Sequence, residues 1–169
     1  MFKKGDLILY SVHGICKVDD ICEKTISHVK KQYYILHPMN DKNLSISTPV
    51  DNDKVAMLDL LTKEEAEELL ESFKKPGIDW IEVDRERGEV YSEIIKSGNR
   101  KKIVGIANTL MRTKSNLEKN GKKFHEKDKK ILADIQSILF SELAFSLDTT
   151  PEEIGKIVNG HLKETNYLN

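Results

Sequence analysis

Two hydrophobic periods divide the chain near residue 58. Before it, short runs mix branched and aromatic residues with polar ones: Asp6-Leu7-Ile8-Leu9-Tyr10, Ile15-Cys16-Lys17-Val18-Asp19-Asp20-Ile21-Cys22, Lys31-Gln32-Tyr33-Tyr34-Ile35-Leu36-His37 and Leu44-Ser45-Ile46-Ser47-Thr48-Pro49-Val50. Rough alternation of this kind marks half-buried strands. His13-Gly14 and Asn40-Asp41-Lys42-Asn43 supply turns, and a last short strand is expected around Val55-Ala56-Met57. Pro49 has no N–H for a ladder, so it belongs at a strand end or sheet edge. Four or five strands in under sixty residues predict a strongly curved sheet or small barrel, with an edge left open unless the barrel closes.

After Leu60 the apolar positions recur at helical spacing. Thr62-Lys63-Glu64-Glu65 has the form of a capping box and opens a helix over 63–73 whose inner side is Ala66, Leu69, Leu70 and Phe73. A second helix is predicted over 78–96, past the Lys74-Lys75-Pro76-Gly77 break, with Gly88 weakening its middle. Ser97-Gly98-Asn99 separates it from a third over 100–119, which Asn120-Gly121 stops. The fourth, over 126–146, carries Ile131, Leu132, Ile135, Ile138, Leu139, Leu143 and Phe145 as its buried face. Thr149-Thr150-Pro151-Glu152-Glu153 starts a fifth, with a threonine cap, proline in the first helical position and acids in the first turn. The fold class is therefore α+β: a small β domain at 1–58, then a five-helix domain at 59–169.

Composition narrows the function. With 38% hydrophobic and 33% charged residues the chain reads as soluble and globular, and no run approaches the ~20 apolar residues of a membrane span. No apolar leader follows Met1, so a cytoplasmic location is expected. Cys16 and Cys22 are six apart in strand-like sequence and, with His13 and His28, match no zinc-ligand spacing. Phosphate-binding glycine loops, nucleophile elbows and paired histidines are missing, which argues against an enzyme, a cofactor or a bound metal.

Charge is distributed unevenly. Asp59 to Glu93 holds twelve acids against five bases, while Lys96 to Lys130 holds twelve bases against three acids, although the net charge is −1. The basic stretch, including Arg100, Lys101, Lys102, Arg112, Lys114, Lys122, Lys123, Lys127, Lys129 and Lys130, could neutralise phosphates without reading sequence, or could be a lysine-rich solvated surface. Trp80, the only tryptophan, follows the break at Pro76-Gly77 and precedes Arg85 and Arg87. An indole there can stack on an unpaired or edge base, or anchor a junction with the β domain.

Taken together, Phe2-Lys3-Lys4-Gly5-Asp6, Tyr10, His13-Gly14, Val18, Tyr34-Ile35-Leu36 and Ile46 through Pro49 in the first half resemble the bacterial CarD/CdnL family of RNA polymerase-binding transcription regulators. In the second half Trp80, Ser97-Gly98, Leu110, Lys129-Lys130-Ile131-Leu132, Ile138-Leu139 and Ser141-Glu142-Leu143 carry the same resemblance. It implies a Tudor/SH3-like β-barrel domain that binds the polymerase β subunit through a sheet edge, with contacts at Lys24, Ile26 and Ser47. Ser47 stands where some members carry arginine. It also implies that Trp80 meets the upstream edge of the promoter bubble and stabilises the open complex. Ile81-Glu82 occupies positions that hold arginines in some relatives, and about four extra residues precede Ser97-Gly98. The expected DNA contacts are thus Trp80, Arg85, Arg87, Lys101, Lys102, Lys129 and Lys130. A monomer without cofactors is expected, with promoter DNA bound through the fork's shape rather than a base code. The alternative is a protein–protein adaptor on polymerase that makes no direct DNA contact.

Overall fold

The computed structural model describes residues 1–165, so positions 166–169 of the expected helical domain lie outside the described residues. Strands β1 (Leu7–Tyr10), β2 (Gly14–Ile26), β3 (Val29–Pro38), β4 (Ile46–Pro49) and β5 (Met57–Leu58) form one antiparallel sheet in the order β4-β3-β2-β1-β5. The ladder does not pair β4 with β5, so β4 is an edge, and Pro49 ends it as expected. Ile8, Tyr10, Cys16, Val18, Tyr34 and Leu36 pack the buried face. β2 and β3 form a longer hairpin than the alternation suggested, running out to the pair Ile26 and Val29. Ser27 and His28 close it with positive φ values of 50° and 65°. A register shift between Val18 and Asp20 bulges β2 at Asp19, and both carboxylate oxygens of Asp19 lie 2.7 Å from His37 Nδ1.

The helices are α1 (Lys63–Glu71), α2 (Asp84–Ser97), α3 (Arg100–Lys119), α4 (Glu126–Ser146) and α5 (Pro151–Thr165), with a 3₁₀ turn Ser72–Lys74 extending α1. The capping box forms: Thr62 Oγ1 accepts from the Glu65 amide at 3.1 Å, and Glu65 accepts from the Thr62 amide at 2.8 Å. Asn99 caps α3 by accepting from the Lys102 amide, and Thr150 accepts from the Glu153 amide ahead of α5. These satisfy amides that a helix start otherwise leaves without partners. A second core joins Leu69, Leu70, Phe73, Tyr91, Val104, Ile106, Leu110, Leu132, Leu139, Leu143, Ile154 and Val158.

Two helix readings need correction. Residues 78–83 are not helical; α2 starts at Asp84 behind Val83, which offers no side-chain cap. The preceding segment lies instead on the middle of α3. The Ile78 amide donates to the Gly105 carbonyl, Thr109 Oγ1 donates to the Ile78 carbonyl at 2.6 Å, and a Cβ at Gly77 would collide with Thr109 Oγ1. Phe145, assigned to the buried face of α4, is 53% exposed. α4 is ending there, and the core beside it is filled by Leu143 and Ala144.

Sheet and helices meet along a bonded seam at the end of α2. The Lys96 carbonyl accepts from Ser11 Oγ at 3.0 Å and from the Ala56 amide at 2.9 Å. Gly98, in the left-handed region with φ 68°, sits against Leu58 and Ala56. A small sheet buries little of its own surface, so this contact adds support that its core alone does not give.

Candidate functional site

Arg87 holds together the region around Trp80. Its side chain points inward from the first turn of α2 and is only 2% exposed. Nε and Nη2 donate to the two carboxylate oxygens of Asp128 on α4 at 2.9 and 2.7 Å. Nη2 also donates to Asp84 at 2.8 Å, and Nη1 to the Ile81 carbonyl at 2.7 Å. Such a two-pronged pairing with a carboxylate is strong because planar fork meets planar fork. The guanidinium carbon lies 4.2 Å from the centre of the Trp80 ring, within cation–π range. Trp80 itself is half-buried and packs against the helical core.

The charges around this node are matched. The Arg87 guanidinium hydrogen-bonds Asp84 and holds its carboxyl below the usual range, with His125 and Lys127 adding to the effect. His125 Nε2 lies 3.4 Å from Asp84. The Asp128 carboxylate raises the pKa of Arg87 further above its already high ordinary value. Tyr91 is fully buried close by, its hydroxyl without a hydrogen-bond partner among the described residues, and burial pushes its pKa up.

The expected DNA-contacting residues fall into three situations. Arg87 does not stand ready for phosphate: it is buried, and four of its five N–H donors go to Asp128, Asp84 and the Ile81 carbonyl, which corrects the sequence expectation. Arg85 is exposed and pairs with Glu89 one turn on at 3.0 Å. The four lysines are exposed but separate into two groups. Lys129 and Lys130 follow Asp128 near the start of α4, beside the Trp80 segment. Lys101 and Lys102 begin α3, next to Arg100, which bonds Glu142 near the other end of α4. From residue 130 to 142 α4 rises about 18 Å, so the two groups flank opposite ends of one helix. Lys101 also approaches Glu68 at 3.8 Å.

The sheet brings two of its expected contact residues together. Lys24 on β2 reaches across β3 and donates from Nζ to Ser47 Oγ on β4 at 2.7 Å, over the Tyr33 ring. Ile26 lies apart at the hairpin tip, 55% exposed, opposite Val29 at 54%. Sequence reading missed Asp128 and Val29. An acid inside the Lys127–Lys130 run was the available sign for Asp128; the length of β3 would have revealed Val29.

A cleft of about 570 Å³ opens between the sheet and α2, α3 and α4, lined by apolar residues such as Leu9, Ile95, Ile131 and Ile138. Arg100 and Glu142 in its lining are bonded to each other. Among the described residues no group of three His, Cys, Asp or Glu side chains could hold a metal ion, and no helix is long and apolar enough to cross a membrane.

Comparison with known proteins agrees with this architecture. Residues 2–60 match the CarD-like/TRCF RID domain, and residues 57–159 match the CarD C-terminal domain. A Bacillus subtilis (strain 168) protein named "Putative transcription factor YdeB" is 26% identical over 155 residues, which cover 91% of this chain and 97% of that protein. The sheet followed by five helices, with both family models matched in order, places the chain in the CarD/CdnL family of transcription regulators.

Proposed function

We propose that this regulator binds the β subunit of RNA polymerase through the β2–β4 surface and stabilises the promoter open complex by contacting DNA at the upstream edge of the bubble. Lys24, Ser47 and Ile26 serve the first contact, with the open β4 edge available for strand addition. Trp80, Arg85, Lys129 and Lys130 serve the second. Lys101 and Lys102 contribute a more distant phosphate contact.

One observation supports the reading: Arg87, whose guanidinium carbon lies 4.2 Å from the centre of the half-buried Trp80 ring, bonds Asp128 near the start of α4, and Lys129 and Lys130, which follow Asp128, are exposed. An aromatic surface next to cations suits a duplex–bubble junction, where a base is already partly unstacked. Binding melted DNA better than closed duplex shifts the equilibrium toward melting, by no more than the difference in affinity. Attachment to polymerase raises the effective concentration, so free protein needs only weak DNA affinity.

The test is open-complex lifetime with Trp80→Ala and with Lys129→Ala/Lys130→Ala, polymerase binding being measured separately. Loss of one stacking contact of about 1–3 kcal/mol shortens the lifetime on the order of 5- to 150-fold. A second reading, an adaptor without DNA contact, is favoured by the packing of Trp80 against the helical core. Unchanged lifetimes and no salt-dependent footprint at the upstream edge, with polymerase binding intact, would select it.

A further inference from the structure

We infer that Arg87 is a positioning residue that sets the orientation of Trp80, acting on DNA only through that ring; the functional part of this inference rests on the open-complex reading above. A guanidinium has five N–H donors, and Arg87 makes four hydrogen bonds in three directions: to α4 through Asp128, within its own helix through Asp84, and to the backbone beside the indole through the Ile81 carbonyl. The same plane lies against the Trp80 ring at 4.2 Å. Ring and adjoining backbone are therefore fixed by one side chain, itself held by a carboxylate that is 3% exposed.

The segment needs such a device. Residues 78–83 have no regular secondary structure, and Val83 provides no side-chain cap to fix where α2 begins. Gly77 and Ile78 are fastened to α3, but Trp80 lies beyond that attachment and before the helix. Without Arg87 the indole would have fewer contacts limiting its rotation. Lysine cannot substitute: it is a point charge without the planar fork, so it cannot hold both Asp128 oxygens and cover the ring together.

Because Trp80 is the only tryptophan, its emission reports this orientation in the full chain without a label. Arg87→Lys is expected to keep its helical circular dichroism and its polymerase binding while the emission shifts and acrylamide quenching increases. Open-complex lifetime should fall on the order of fivefold or more, toward the value for Trp80→Ala. Combining Arg87→Lys with Trp80→Ala should shorten it no further. Should Arg87→Lys lose its fold, Asp128→Asn, which keeps an acceptor for one prong, is read in the same way. Unchanged emission and quenching would overturn the inference. So would an equal loss of lifetime from Arg87→Lys in the Trp80→Ala background, which would assign Arg87 its own contact. If Trp80→Ala leaves the lifetime unaltered, the open-complex reading fails, and the fluorescence alone decides whether Arg87 orients the ring.

Discussion

Arg87 and Asp128, forty-one positions apart, face each other through two hydrogen bonds of 2.9 and 2.7 Å. A buried charge left without its partner is far less stable than a buried pair. Asp128→Ala is therefore expected to destabilise the protein by about 3–5 kcal/mol, toward the lower figure because Asp84 and the Ile81 carbonyl still bind Arg87. Urea denaturation measures it. Removing both members, as Arg87→Met/Asp128→Leu, should cost less than removing Asp128 alone.

Gly98 should tolerate a side chain worse than Gly121 does. Both have positive φ, 68° and 65°, so each Gly→Ala change carries the left-handed penalty of about 1–2 kcal/mol. Only at Gly98 would the new Cβ lie 2.7 Å from Leu58 Cδ1 and 3.0 Å from Ala56 Cβ; at Gly121 none of the described residues would come within 4 Å beyond its chain neighbours. Gly98→Ala is expected to lower stability by about 1–3 kcal/mol more than Gly121→Ala. Equal thermal midpoints would show that the seam relaxes freely.

The two thiols should differ in reactivity. Cys16 is buried, which pushes its pKa up to about 11, while Cys22 is half-buried on β2. A thiol reagent at pH 8 should modify Cys22 quickly and Cys16 only as the sheet opens. A raised folded pKa means the folded thiol keeps its proton longer. That contribution is fully present below the ordinary thiol value of ~8.5 and is lost as pH rises through about 11. Cys16→Val should flatten the fall in thermal midpoint over that window.

The hairpin tip can be stabilised without changing its surface pair. Ser27 and His28 both hold left-handed backbone angles, the type I′ pattern that favours Asn-Gly. Ser27→Asn/His28→Gly is expected to raise stability on the order of 1 kcal/mol, read by urea midpoint. Ile26 and Val29 would remain in register.

Most elements were legible because local signals agreed. Thr62 and Glu65 announced α1, Asn120-Gly121 closed α3, and Thr150-Pro151 opened α5, each through chemistry within a few residues. The stretch from Ile78 to Val83 misled because Ile78 and Ile81 happen to fall at helical spacing. Their carbonyls are instead taken by Thr109 and Arg87, from outside the segment. Arg87 was misread for a related reason. Charge is visible in a sequence, whereas the direction of a side chain depends on a partner forty-one positions away. The residues proposed to meet polymerase divided similarly: the β2–β3–β4 register unites Lys24 with Ser47 and leaves Ile26 at a tip that alternation did not reach.

The unpaired rim at β4 has a consequence for the free molecule. A rim with unused backbone donors and acceptors does not distinguish between a foreign strand and one from another copy of the same protein. Its brevity, from Ile46 to Pro49, and the proline that ends it limit how long such a mistaken stack could grow. Crowding should therefore yield loose, short-lived clusters rather than fibres, and a partner that occupies the rim would also act as its solubiliser.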